Sequence, residues 1–243
     1  MGVSAITVAD AVGSVERWIR ARTPNYVCIT GVHGVIESRT NAELRRIHNQ
    51  AGLVTPDGMP LVWMARLLGF SRTRRVYGPD LMRAVSALPA ERGIRHFYYG
   101  GGPGIAEKLE ESLRRANPGL SVVGTLTPPF GPVSASEDAE AVRRINAARP
   151  DIVWVGLSTP KQEYWMAAHV GRIDAPVLIG VGAAFDFLAG TKRQAPRWMQ
   201  RSGLEWLFRL LSEPRRLWRR YFKIVPAFLV LALGQLWGSR ASA

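Results

Sequence analysis

Short apolar runs alternate with longer amphipathic segments along most of the chain. Six runs rich in β-branched and aromatic residues predict strands at 26–30, 53–55, 96–100, 121–124, 151–156 and 176–182. Segments with helical spacing lie between them. Strands that alternate with helices in this way form a parallel sheet. The pattern therefore predicts an α/β fold, with one parallel sheet flanked by helices.

Three of the predicted helices carry start signals. Asn41 precedes AELRRIHNQAG as a cap, Pro60 opens a segment that stops at Gly69, and Ser136 precedes EDAEAVRRINAA. Asn and Ser cap helices because their side chains accept hydrogen bonds from first-turn N–H groups. Proline is favoured in the first turn because it lacks an N–H group, and an N–H there would have no partner within the helix. We therefore expect helices to begin at these three places.

The chain changes character after about Arg193. From Gln194 onward it consists of predicted helices rich in Trp, Leu and Arg, without further strand patterns. We therefore expect an α/β core over residues 1–193 and a helical appendage over residues 194–243.

Composition excludes several classes of protein. Of the 243 residues, 47% are hydrophobic and 21% are charged, which is ordinary for a globular enzyme and unlike a disordered chain. Cys28 is the single cysteine, so thiols can build neither a disulfide framework nor a zinc site. The N-terminal residues lack the pattern of a secretory signal. These features predict a cytoplasmic protein.

Charge points to an anionic partner. The formal net charge is +13, and ten Lys or Arg against Glu205 and Glu213 between Gly190 and Lys223 give +8 of it. A surplus of this size favours association with polyanions or anionic surfaces. Nucleic acid, phospholipid and phosphorylated substrates all satisfy that requirement.

The segment EPRRLWRRYFKIV predicts a basic amphipathic helix. At helical spacing its basic residues form one sector and its apolar residues the opposite one. The uncharged stretch 224–239 is short for a membrane span and is interrupted by Pro226, so insertion into an anionic membrane surface is favoured over spanning. The alternative is a terminal helix that packs its apolar face on the core and leaves its basic face in water.

A glycine-rich turn follows the third predicted strand. Parallel sheets bind ligands at the carboxyl ends of their strands, and glycine lets backbone N–H groups approach a phosphate there. The sequence GGGPG matches neither common nucleotide-binding fingerprint, so a simple turn with positive φ angles is an equal alternative. The candidate nucleotide-binding residues of this turn are Gly100, Gly101, Gly102 and Gly104.

Asp57 follows the second predicted strand between a proline and a glycine. One carboxylate within reach of an acceptor hydroxyl suffices as the general base of an inverting glycosyl transfer. Asp57 is therefore a candidate base, although a turn-forming or capping aspartate is the more common role for this position.

Two further strand ends carry polar residues. Thr159, Lys161 and Gln162 follow the fifth strand and could bind phosphate oxygens, whereas Asp186 follows the sixth strand and could accept hydrogen bonds from a ribose or base. Helix capping is the alternative role at both strand ends.

Metal binding is not indicated by the sequence. The seven aspartates include no D-x-D pair, and the four histidines are scattered without ligand spacing. Arginines of the C-terminal segment could instead neutralise a leaving diphosphate, because a guanidinium group offers bidentate contacts to phosphate oxygens. We expect no metal and no cofactor.

Several motifs together resemble the WecG/TagA/CpsF family of bacterial glycosyltransferases. They are TPDGMPLVWMARLLG, YYGGGPG, LSTPKQEYW, GVGAAFDFLAG and RQAPRWMQRSGLEWLFRLLSEPRRLWRRYF, in the order that the family has them. The resemblance runs from about Tyr26 to Phe222.

The resemblance implies a Rossmann-like core and an inverting, metal-independent transferase. Such enzymes move sugars such as N-acetylmannosamine from UDP to polyprenyl-diphosphate-linked acceptors, in teichoic acid or polysaccharide synthesis at the inner face of the cell membrane. It also leaves open a homo-oligomer. The family's functional positions fall on Asp57 as base, Thr30, Gln162 and Asp186, and on the appendage arginines Arg209, Arg216 and Arg219, with Arg220 as an alternative to the last.

One motif departs from the family. Many members have T-x-N-P after the first strand, whereas this chain has TGVHG, so His33 stands where the loop approaches the reacting sugar. The identity of the sugar and the role of His33 stay open.

Two other functions remain compatible with the sequence. A basic nucleic-acid-binding module would explain the charge and the interleaved aromatics but not the glycine turns. A nucleotide-binding regulatory domain without turnover would explain the turns. We expect a UDP-sugar donor, a lipid-linked acceptor and an anionic membrane as partners, and no nucleic acid.

Overall fold

The computed structural model describes residues 1–241, except for the side chains of residues 216, 220 and 238–241. It confirms the α/β fold, because six parallel strands form one sheet in the order β2-β1-β6-β5-β3-β4. All six predicted strands are present: β1 (Asn25–Thr30), β2 (Leu53–Pro56), β3 (Arg95–Gly100), β4 (Ser121–Leu126), β5 (Ile152–Gly156) and β6 (Val177–Gly180).

Helices connect the strands and follow the last of them. The helices that precede β6 in the chain are α1 (Val8–Ala21), α2 (Val32–Thr40), α3 (Ala42–Gln50), α4 (Met59–Leu67), α5 (Gly78–Ser86), α6 (Ile105–Ala116), α7 (Ala135–Ala147) and α8 (Lys161–His169). After β6 they are α9 (Ala184–Leu188), α10 (Arg197–Arg201), α11 (Glu205–Ser212) and α12 (Pro214–Ala241).

Two of the three predicted helix starts are confirmed and one is wrong. The Asn41 side chain accepts a hydrogen bond from the N–H of Leu44 at the start of α3, and Pro60 lies in the first turn of α4. The cap of α7 is Ser134 instead of Ser136. Glu137 decides this, because its carboxylate accepts the Ser134 N–H at 2.8 Å while the Ser134 hydroxyl accepts the Glu137 N–H at 3.3 Å.

The sheet is buried on both faces. Side chains alternate along each strand, so that Tyr98 and Trp154 belong to the core beneath α1, α5, α6 and α9, whereas Tyr99 and Val153 belong to the core beneath α3, α7 and α8. Burial on both faces explains why the strands are continuous apolar runs in the sequence. All carboxyl ends of these parallel strands lie at one edge of the sheet.

The final helix has apolar residues on two sides, one packed against the protein and one exposed to solvent. α12 packs against α2 and α11, and Leu217 is buried there. A row at helical spacing is instead exposed to solvent: Trp218, Phe222, Val225, Leu229, Leu233 and Trp237. None of the described helices combines the length and the apolar character needed to traverse a bilayer.

A buried histidine links two central strands. The indole N–H of Trp154 donates to Nδ1 of His96 at 3.0 Å, and the two rings lie edge to edge, nearly in one plane, with centroids 6.1 Å apart. The indole N–H can only donate, so Nδ1 must carry a lone pair and the ring is neutral. Burial lowers the pKa of His96 from its ordinary value of 6.5 to about 4.

This buried ring predicts a loss of stability in mild acid. Below pH 6.5 the unfolded chain binds a proton at His96 that the folded chain excludes until about pH 4, so the free energy of unfolding falls through that window. Urea unfolding should give about 2 kcal/mol less stability at pH 5 than at pH 7 from this group.

The matched variant for this measurement is His96→Gln, since its amide oxygen can still accept from Trp154 but does not titrate. It should reduce the difference between the two pH values by about 2 kcal/mol. An unchanged difference in this variant would show that His96 is not responsible.

Candidate active site

The turns after β1 and β2 meet at the carboxyl edge of the sheet. The N–H of Asp57 donates to the carbonyl of Thr30 at 2.9 Å. A Cβ atom at Gly31 would lie 3.1 Å from the Asp57 carbonyl oxygen, so the two turns approach closely because residue 31 has no side chain. Two candidate residues from separate strands are thereby brought together.

The Thr30 hydroxyl is oriented by a buried histidine. Nε2 of His48 lies 3.0 Å from the Thr30 Oγ1, and Nδ1 lies 2.9 Å from the carbonyl oxygen of Leu44. Burial lowers the pKa of His48, so the ring is neutral near pH 7. We assign the proton to Nδ1, which donates to the Leu44 carbonyl. The Thr30 hydroxyl then donates to Nε2, which leaves its oxygen free to accept.

Asp57 is paired with an arginine that the sequence analysis missed. Both contacts from Arg75 reach the same oxygen, Oδ1, at 3.2 Å from Nη2 and 3.4 Å from Nε. Among the described residues nothing hydrogen-bonds Oδ2, and the side chain is 26% exposed. One carboxylate oxygen of Asp57 is thus held by Arg75, while the other has no hydrogen-bond partner in the described part of the chain.

Arg75 is also held by the helices after β6. Its guanidinium group donates to Oε1 of Gln200 at 3.0 Å and to Oε2 of Glu205, and it lies over the ring of Tyr77 at 3.9 Å. Oε1 of Glu205 pairs with Arg209 at 3.1 Å. Arg75 therefore links helices α10 and α11 to Asp57, the candidate base.

These four charged groups form a cluster of two carboxylates and two guanidinium groups, namely Asp57, Arg75, Glu205 and Arg209. Burial opposes charge on Arg75, but the charges of Asp57 and Glu205 outweigh it and raise the arginine's pKa. The pKa of Arg209 is raised against burial by the same two carboxylates. The cluster therefore favours the charged form of both arginines, although the Arg209 side chain is still 42% exposed to solvent.

The glycine turn after β3 packs against the end of β5. Gly100 has φ of 117°, and a Cβ atom there would lie 2.7 Å from the backbone of Gly156. The N–H of Gly101 donates to the Gly156 carbonyl at 3.0 Å, and Gly104 caps α6 with φ of 73°. Position 100 requires glycine because its backbone lies directly against that of Gly156. The turn with positive φ angles is therefore confirmed, whether or not these residues bind a ligand.

The start of α8 carries a buried amide and a buried acid. Nε2 of Gln162 donates to Oε1 of Glu163 at 3.2 Å, and the Thr159 hydroxyl donates to the same oxygen at 3.0 Å. Oε1 of Gln162 has no hydrogen-bond partner among the described residues. Burial raises the pKa of Glu163. Lys161 is exposed beside them.

Asp186 and His33 lie on two different helices at the carboxyl edge of the sheet. Asp186 sits in α9, where its Oδ2 pairs with Lys192 at 3.2 Å, and it is half-buried. His33 is half-buried in the first turn of α2, and its Nδ1 would be 3.5 Å from a Cβ atom at Gly31. His33 thus neighbours the turn that carries Thr30.

Of the three candidate arginines in the appendage, only Arg209 is described as part of the charged cluster. Arg209 joins the cluster and lies 5.8 Å from the ring centroid of Phe187. Arg219 is exposed over Trp218 at 5.3 Å, and within the described part of the chain no ion pair connects it to Asp57. Arg216 belongs to α12, but its side chain, like that of Arg220, lies outside the described residues.

Sequence reasoning did not single out three residues of this contact network, namely Arg75, Gln200 and Glu205. Arg75 stands in the basic run SRTRRVYG, which looks like an ordinary solvated surface. Glu205 offered the better signal, because it is one of two acidic residues in the strongly basic stretch 190–223. An isolated acid there suggests a counter-ion for particular arginines.

No group of three or more His, Cys, Asp or Glu side chains that could hold a metal ion occurs among the residues whose placement is described.

The fold defines an α/β protein whose sheet edge carries a carboxylate at a strand end and guanidinium groups beside it. The model of the glycosyl transferase WecG/TagA/CpsF family matches residues 1–242, so the chain belongs to that family of glycosyltransferases.

Two relatives carry the same name, N-acetylglucosaminyldiphosphoundecaprenol N-acetyl-beta-D-mannosaminyltransferase. The chain is 29% identical to the one from Bacillus spizizenii over 197 residues, which are 81% of this chain and 74% of the relative. It is 26% identical to one from Staphylococcus aureus over 225 residues, which are 92% of this chain and 86% of the relative.

The glycine turn gives a prediction about stability. Gly100→Ala should lower the free energy of unfolding by about 2–4 kcal/mol, because a side chain is strained at positive φ and also meets the Gly156 backbone. Thermal and urea unfolding would measure it.

Gly102→Ala is the control in the same turn. Gly102 has no positive φ, and its added Cβ would make an ordinary 3.6 Å contact with Ile105. Equal losses in the two variants would contradict the packing argument.

Proposed function

We propose that this glycosyltransferase moves N-acetylmannosamine or a related hexose from a UDP donor to a sugar on a polyprenyl diphosphate, with inversion and without a bound metal. The main support is Asp57, which lies at the sheet edge beside guanidinium groups and has one carboxylate oxygen that no described side chain hydrogen-bonds. The names of the two relatives support the acceptor and the sugar.

Asp57 acts as the general base in this proposal. The acceptor hydroxyl attacks the anomeric carbon of the donor while the bond from that carbon to the UDP oxygen breaks, and the hydroxyl proton passes to Asp57. Oδ2 receives that proton, since Oδ1 is occupied by Arg75. Attack by the acceptor itself in a single displacement inverts the anomeric carbon.

The donor lies along the carboxyl edge from β3 to β6. Its nucleotide contacts Gly100, Gly101, Gly102 and Gly104, together with Lys161, Gln162 and Asp186. Oε1 of Gln162, which has no donor among the side chains that are described, supports this, because a buried acceptor oxygen without a donor is costly unless a ligand supplies one. Thr30 and His33, on the neighbouring turn, face the reacting sugar.

Guanidinium groups stabilise the leaving diphosphate. Arg209 is already fixed at the site by Glu205, whereas Arg216 and Arg219 follow on the first turns of α12. A guanidinium group can pair bidentately with phosphate oxygens and supply the positive charge that a divalent cation supplies in other transferases.

The proposed appendage, residues 194–243, attaches the enzyme to the inner face of the cell membrane. Its exposed apolar row on α12 adjoins exposed Arg215, Arg219 and Lys223. Aromatic residues beside basic ones suit the interface of an anionic bilayer. A lipid-linked acceptor is available at that surface, and a homo-oligomer there is compatible with the proposal.

Loss of the base should abolish transfer. Asp57→Asn removes the proton acceptor but keeps the shape of the side chain, so release of UDP with a polyprenyl-diphosphate-GlcNAc analogue should fall at least about 100-fold. Calorimetric binding of UDP should remain within about twofold, since Asp57 does not hold the nucleotide.

The wild-type enzyme supplies the reference, assayed with UDP-N-acetylmannosamine in EDTA and with product identified by mass. Full turnover by Asp57→Asn would remove the assigned base. A strict requirement for Mg²⁺ or Mn²⁺ would overturn the proposed role of the arginines.

Membrane attachment should depend on the exposed aromatic residues of α12. Replacing Trp218 and Phe222 together by Ser should reduce co-sedimentation with vesicles of 30% phosphatidylglycerol by about tenfold or more, because both side chains lose their burial in the interface. Raised salt should weaken binding of the wild type.

Phe130→Ser is the matched control, since Phe130 is fully exposed on the loop after β4 and outside the appendage. Equal loss in this variant, or undiminished binding by the double variant, would contradict the proposed surface.

A further inference from the structure

We infer that Glu205 is a positioning residue for the transfer reaction, which keeps Arg75 from closing over both oxygens of Asp57. This inference rests on the proposed role of Asp57 as base. It assigns to an acidic residue of α11 a direct influence on the chemical step, although Glu205 itself touches neither sugar nor nucleotide.

The carboxylate of Glu205 divides its two oxygens between two cations. Oε2 pairs with Nη2 of Arg75, which follows α4, and Oε1 pairs with Nη2 of Arg209 at 3.1 Å. The Glu205 side chain is 18% exposed and that of Arg75 is 12% exposed. Partial removal from water makes these contacts stronger and more directional than those of a surface pair.

Arg75 is shared unequally between its two carboxylates. Nη2 lies closer to Glu205 than to Asp57, whose contacts of 3.2 and 3.4 Å are long for a charged pair. Nη1 is turned to Gln200 at 3.0 Å. Glu205 and Gln200 thus hold the guanidinium fork away from a two-oxygen contact with Asp57.

Removal of the charge on Glu205 would release this constraint. Asp57 would then be the remaining carboxylate among the described partners of Arg75, and a guanidinium fork prefers to pair with both oxygens of a carboxylate. Such a pair would engage Oδ2, the oxygen assigned to the acceptor proton. The chemical step would slow while the nucleotide site after β3 and β5 stays unchanged.

The test is Glu205→Gln in the full-length chain, which keeps the size of the side chain but not its charge. We expect kcat with the lipid-linked acceptor analogue to fall about tenfold, and the Kd for UDP to stay within about twofold. Glu205→Asp, which restores the charge on a shorter side chain, should recover a measurable part of kcat.

A mutant cycle with Arg75→Lys separates positioning from general structure. Lysine cannot form the fork, so Glu205→Gln should lower kcat much less in that background than in the wild type. Glu140→Gln is the matched control, because Glu140 makes an exposed pair with Arg143 on α7, and it should leave kcat unchanged.

Wild-type kcat in Glu205→Gln would overturn the inference, and so would an equal loss in the Arg75→Lys background. Thermal unfolding of every variant shows whether a loss of kcat is caused by misfolding. If Glu205→Gln is misfolded, kcat of Glu205→Asp is compared instead in the wild-type and Arg75→Lys backgrounds, and that comparison decides. If Asp57→Asn is active, the proposed base is wrong. If Asp57→Asn is inactive while Glu205→Gln is not impaired, the inference about Glu205 alone fails.

Discussion

The ion pairs of Arg75 are the contact on which the arrangement of this site depends. This one guanidinium group touches the candidate base after β2 and two side chains of the helices that follow β6. A buried arginine needs such partners, since an unpaired charge out of water is strongly unfavourable. The requirement couples the position of α10 and α11 to the geometry around Asp57.

The basic residues of the C-terminal stretch therefore have two different environments. Arg209 pairs with Glu205 next to Arg75, whereas Arg215, Arg219 and Lys223 face solvent beside an exposed apolar row. The net charge of +13 is therefore not a uniform property of the surface. Part of it belongs to the site, and part is available to an anionic surface.

Close packing of glycines sets the other side of the site. Gly100, Gly156 and the ring of Phe185 are in contact where β3, β5 and α9 meet, because side chains are missing at the two glycines. The turn after β3 can consequently lie directly on the neighbouring strand. A structural need for glycine and the proposed nucleotide-binding role are thus compatible at the same residues.

The sequence by itself determined the sheet, most helices and the candidate base. Strand and helix periodicity is a local property, and so is the position of Asp57 after an apolar run. Even there, competing local signals can mislead, as Ser134 shows by capping α7 through Glu137 in place of Ser136.

Only the tertiary structure decided which charges meet. Arg75 and Glu205 are separated by 130 residues. Glu205 stands out as an acidic residue in a basic stretch, but no local signal identifies Arg75 as its partner. Likewise, periodicity places Leu217 and Trp218 on one apolar side of α12, whereas packing against α2 and α11 buries the first and leaves the second in water. Local patterns are encoded by neighbours in the chain, but partners at this distance are chosen by how the whole sheet and its helices pack.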